Sequence, residues 1–111
     1  MAHDETLAQR VREVLATREG ISERNMFGGV CFMHWGNMVC GVEKSRLMFR
    51  VGPEAYEDAL THEYTTPMDF TGRPMRGFVF VAPAGFATDV SLMQWIDRAL
   101  NFTGTLPRKS A

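Results

Sequence analysis

Between Asp4 and about Glu19 the apolar residues Leu7, Val11, Val14 and Leu15 recur at i, i+4, i+7 and i+8, with Arg10, Arg12, Glu13 and Arg18 mostly off that stripe. The spacing predicts an amphipathic helix ended by Gly20 at a C-terminal cap position, with Arg18 complementing the carboxyl end of the helix dipole. After Ser22 the pattern changes to short runs rich in Val, Phe and Met. Three strands are expected, at about Met26 to Met33, Met38 to Val42 and Arg46 to Val51, joined at Trp35-Gly36 and at Glu43 to Ser45. In the third, Leu47, Phe49 and Val51 alternate with Met48 and Arg50, which turns one face of the sheet to the core and leaves the other less buried.

Gly52-Pro53 then opens a short helix carrying Tyr56, Ala59 and Leu60 on one side. Thr65 to Gly77 reads as a short strand, a turn at Thr71 to Arg73 and entry into the strand Phe78 to Val81, which Pro83 ends. From Thr88 or Asp89, both able to cap, a last helix runs to Asn101 with Leu92, Trp95, Ile96, Ala99 and Leu100 on its apolar side. Short links between the first strands call for an antiparallel sheet, and the amphipathic helices need a face to cover. The expected fold is therefore two-layer α+β, in the order α-β-β-β-α-β-β-α with helices on one face. Residues 1–105 form one domain, and 106–111 form a tail with no reason to be ordered. Leu7, Val11, Val14, Phe49, Trp95 and Ile96 are the expected core.

Composition narrows the function classes. With 111 residues there is room for one core, and 45% hydrophobic content excludes a disordered chain. Twelve basic against thirteen acidic residues give a net charge of -1, and the pI is near 6.3, so no global field attracts a polyanion. The charged first twenty residues are no secretory signal and no apolar run is long enough to span a membrane, so a cytoplasmic protein with reduced thiols is expected.

Arg24-Asn25-Met26-Phe27-Gly28-Gly29 resembles the R-x-M-F-G-G/S opening of the TfoX (Sxy) N-terminal domain family. Gly36-Asn37-Met38, Leu47-Met48-Phe49-Arg50-Val51 and Gly72-Arg73-Pro74-Met75 follow in that family's order, so the matches span Arg24 to about Leu100. The resemblance implies a two-layer domain grouped with secretion-chaperone-like folds, and a role near regulators of natural competence. Full-length regulators of that family carry a second, helical domain, whereas this chain ends at Ala111, so a stand-alone short form is expected. The family supplies no catalytic residues to carry over, and none is expected here.

The candidate chemistry is sparse. Gly28-Gly29 lacks the lysine of a phosphate loop and is expected to permit a bulge or a close approach of the first helix. His3, His34 and His62 are scattered, so neither a metal nor another cofactor is expected. Arg46, Arg50, Arg73 and Arg76 are a candidate patch for a carboxylate, a phosphate or a partner. Trp35, at a hairpin tip, either folds back over the sheet or anchors a partner or a second subunit. Cys31 and Cys40 are a candidate redox pair: a two-residue loop at Trp35-Gly36 sets them opposite each other, and a three-residue loop turns Cys40 to the other face. Left-handed strain at tryptophan favours the second register and structural, reduced thiols. The leading expectation is a small non-enzymatic regulatory or interaction domain with a protein partner. The alternative is a nucleic-acid-associated or anion-binding module, without sequence-specific DNA binding by the chain alone.

Overall fold

In the computed structural model, residues 4–26, 28–69 and 74–108 are described. Asp4 caps α1 (Glu5–Leu15) by accepting a hydrogen bond from the Leu7 amide at 3.2 Å. The helix stops a turn short of Gly20, because beyond Leu15 no apolar residue continues the stripe that holds it to the core. Four strands follow: β1 (Ile21–Met26), β2 (Gly29–His34), β3 (Asn37–Glu43) and β4 (Arg46–Arg50). After the short α2 (Tyr56–Leu60) come β5 (Thr65–Asp69) and β6 (Pro74–Val81), then a 3-10 turn at Pro83–Phe86 and α3 (Asp89–Thr103).

The six strands make one antiparallel sheet in the order β1-β2-β3-β4-β6-β5. The α+β class and the succession of helical and strand segments are as expected, with one addition in the first strand block. The expected first strand, about Met26 to Met33, corresponds to β2, and β1 is an additional strand that shares only Met26 with it. Strand β1 escapes the pattern because Ser22, Glu23, Arg24 and Asn25 are all exposed on this edge strand, leaving no alternation to read.

All three helices pack on one face. Leu7, Val11 and Leu15 of α1, Tyr56 and Ala59 of α2, and Leu92, Trp95 and Ile96 of α3 join Phe32, Leu47, Phe49 and Val79 in one core, with Val14 packed against it. Thr88 and Ser91 close a capping box at the start of α3. Arg10 pairs with Asp89 at 3.4 Å and Arg18 with Asp97 at 3.5 Å, both across 79 residues of chain. That constant offset shows the chain running in the same direction along α1 and α3. Arg18 thus serves the α3 side chain Asp97 rather than the dipole of its own helix.

The opposite sheet face is more buried than its alternation suggests. Cys31, Met33, Met48, Met68 and Phe80 form a second buried cluster built only from strand residues, flanked by Met38, Met75 and Phe78. Flexible thioethers fill this shallow, twisted face without a covering helix among the described residues. Gly29 shows why its position is restricted: a Cβ there would overlap the Val42 carbonyl oxygen of β3. The close approach is therefore between strands, not between α1 and the sheet.

Candidate functional site

The arginines proposed as one patch occupy separate aromatic niches. Arg46 pairs with Glu43 at 2.7 Å and lies 3.5 Å above the Phe80 ring. Arg50, four residues along the same face of β4, lies 5.4 Å from the Phe78 ring centre and 5.5 Å from that of Phe102. Arg76 is turned toward α2, 5.6 Å from the Tyr56 ring and 3.8 Å from Glu57. Gly77, with φ of 97°, interrupts the pleat between Arg76 and Phe78, which is how neighbouring alternate positions come to face different elements. Arg73 falls outside the described residues.

Trp35 and Gly36 have φ of 50° and 83°, so the β2–β3 hairpin is the two-residue loop, contrary to the register that backbone strain favoured. Packing offsets that strain. The indole rests on Gly20, where any Cβ would overlap it, and Arg108 lies 3.8 Å from its ring centre. Beside it, buried Asn37 donates from Nδ2 to the Pro107 carbonyl at 2.9 Å. Trp35 is thus half-buried by its own chain, and of the residues expected as tail, Leu106 bonds back to Thr103 while Pro107 and Arg108 meet the hairpin.

A bulge then overrides the loop rule. His34 pairs with Asn37 and Met33 with Met38, but the register shifts so that Phe32 faces Cys40 and Cys31 faces Gly41. Cys40 enters the helix-side core and Cys31 the methionine cluster, so the two thiols occupy opposite faces of the sheet and do not form the candidate pair. Burial pushes the Cys31 thiol up to about 11 and raises that of Cys40 as well, with a smaller contribution from Cys31. Neither thiol offers thiolate at neutral pH. In the native protein both should resist a disulfide-exchange reagent such as Ellman's reagent, with two equivalents reacting promptly after denaturation; rapid native labelling at pH 7 would contradict the burial.

His34 sits next to this hairpin, and its pKa is lowered by burial and by the positive charges of Arg18 and Arg108, opposed by a hydrogen bond with the Glu19 backbone. Because the folded protein holds this proton less tightly than the unfolded chain, His34 supports the fold fully above its ordinary value near 6.5 and loses that support as pH falls through its lowered value. The thermal midpoint should therefore fall more steeply from pH 7 to pH 5 in the wild type than in His34→Asn. Equal slopes would remove His34 from the pH response.

One cleft, of about 500 Å³, lies between the β4–α2 link and the end of α3, lined by Val51, Pro53, Glu54, Ala55, Arg98, Asn101, Phe102 and Thr105. Arg98 crosses to α2, meeting Asp58 at 3.0 Å and the His62 ring nitrogen at 3.1 Å, and covers Trp95 at 5.3 Å. Phe102 packs on Gly52, whose φ of 89° and missing Cβ make room for the ring. Sequence reading missed this cleft, since Asn101-Phe102-Thr103 carries no motif meaningful for it and its walls come from segments about fifty residues apart. Among the described residues, no group of three or more His, Cys, Asp or Glu is placed to hold a metal ion, and no helix is long and apolar enough to cross a membrane.

No curated protein and no solved structure matches the chain. The TfoX N-terminal domain family model matches residues 13–103, from the last turn of α1 to the last residue of α3, and so takes in all six strands and every named cleft residue but Thr105. With that match over most of its length, and with the helix-covered antiparallel sheet described above, the chain belongs to the TfoX N-terminal domain family.

Proposed function

We propose that this chain is a small cytoplasmic, non-enzymatic regulatory domain that acts by binding a protein partner, in the setting of transcriptional or competence control that its family suggests. The observation that carries this reading is the dispersal of its cations. Arg46, Arg50 and Arg76 each sit on a different ring, and Arg10, Arg12, Arg18 and Arg98 are bound to carboxylates of the chain itself. Affinity for nucleic acid grows with the number of phosphates neutralised together, and these cations are spread over separate elements, all but Arg50 meeting a carboxylate of the chain itself. Exposed apolar surface is present instead: Val90 and Met93, one turn apart on α3, are 64% and 48% exposed beside the Arg10–Asp89 and Arg18–Asp97 pairs.

The test compares wild type with a Val90→Lys, Met93→Lys double variant of unchanged thermal midpoint, in affinity capture from native lysate and in titration with duplex DNA near physiological salt. The expected result is a defined protein captured by wild type and lost by the variant, with only weak, salt-sensitive DNA binding. Tight, sequence-dependent DNA binding would replace this reading with the nucleic-acid alternative.

A further inference from the structure

Five arginines of the described residues are half-buried: Arg10, Arg12, Arg46, Arg50 and Arg98. Four of them meet a carboxylate, at Asp89, Glu5 and Glu23, Glu43, and Asp58 respectively. Arg50 meets none among the described residues; its contacts are the rings of Phe78 and Phe102. Rings can attract the faces of a guanidinium, but they accept none of the five N–H bonds that point outward in its plane. A half-buried cation that meets rings rather than a carboxylate has a favourable partner to gain in an anion of matching fork geometry.

The position of Arg50 says what kind of anion. The Phe102 ring that it flanks is also a wall of the cleft at the end of α3, so guanidinium and cleft adjoin through one side chain. The cleft's volume of about 500 Å³ is within the range of small-molecule sites. Val51, Pro53, Ala55 and Phe102 supply apolar surface, while Asn101 and Thr105 can meet a polar group. Arg98, also at the cleft, is already bound to Asp58, so Arg50 is the cation left for a ligand, and the negative charge of Glu54 disfavours a dianion more than a monoanion. We propose that Arg50 and the adjoining cleft bind a small organic acid, its carboxylate on the Arg50 guanidinium and its apolar body against Phe102. This site stands independently of the proposed protein partner: it needs neither Val90 nor Met93. Its desolvated state agrees with the same picture, since burial lowers the affinity of Arg50 for its own proton with no carboxylate to offset it.

The test is an amide NMR titration of the full chain with sodium benzoate, with benzamide as the uncharged isostere and with inorganic phosphate. Benzoate should move the amides of residues 51–55 and 98–105 saturably, benzamide should need at least tenfold higher concentration, and phosphate should bind more weakly than benzoate. Arg50→Gln should weaken benzoate at least tenfold while preserving the spectrum's dispersion, and Arg50→Lys should retain part of the affinity. Equal effects of benzoate and benzamide would overturn the assignment without recourse to any variant. So would shifts confined to another surface, tighter binding of phosphate, or undiminished benzoate affinity in a folded Arg50→Gln protein.

Discussion

Phe49→Ala should lower stability by about 3 to 5 kcal/mol, the cost of emptying a large aromatic from a close-packed core. Phe49 is fully buried in β4, and its ring stacks on Trp95 of α3 at 5.5 Å with 22° between planes. The stack joins the sheet to the helix layer, where α3 contacts both β3 and β4. Trp95 in turn meets His62 edge-on at 5.3 Å and lies beneath Arg98. Removing Phe49 therefore leaves a cavity and also releases the face on which Trp95 is positioned. For a domain of this size the loss corresponds to a fall in thermal midpoint of roughly 13 to 21 °C. Met48→Ala, on the shallower methionine face, should cost less. A Phe49→Ala midpoint within a few degrees of wild type would mean that the two layers are not joined there.

Gly29→Ala should be nearly as damaging, at about 3 kcal/mol, although it adds one methyl group. The added Cβ would overlap the Val42 carbonyl oxygen and lie 3.0 Å from its carbon, so backbone, rather than a flexible side chain, has to move. The strands to be displaced are β2 and β3, which share the ladder from Val30–Val42 to His34–Asn37. Gly28→Ala is the control: its φ of 75° is strained for alanine, at about 1 kcal/mol, but a Cβ meets nothing within 4 Å. Denaturant unfolding of both variants separates the two causes. A Gly28→Ala protein less stable than Gly29→Ala would show that conformation, not strand proximity, governs this dipeptide.

The two glycines also show how far local reading reaches. A Gly-Gly pair announces that a side chain is unwelcome, and the residues alone support either a bulge or a close approach. Which neighbour excludes the side chain depends on β3 returning alongside β2, something no window around residue 29 contains. Trp35 is a sharper case. Left-handed strain at tryptophan is a sound local argument against the two-residue loop, and it is outweighed by Gly20 and Arg108, which lie 15 and 73 residues away. For the cysteines, loop length alone does not set the register, because a bulge between Phe32 and Met33 decides their faces.

The α+β class, the succession of helical and strand segments, the core set of Leu7, Val11, Phe49, Trp95 and Ile96, and the family are all legible in the residues alone. These are legible because hydrophobic period, caps and turn residues act over a few positions and point to the same answer. Only the tertiary structure decided that β1 is a separate polar edge strand, that Cys31 and Cys40 lie on opposite faces, and that Arg50 alone of the half-buried arginines lacks a carboxylate partner among the described residues. Ion pairing and burial are set by which side chains meet across strands and layers. A one-residue bulge or a helix seventy residues distant changes those meetings without altering any local pattern.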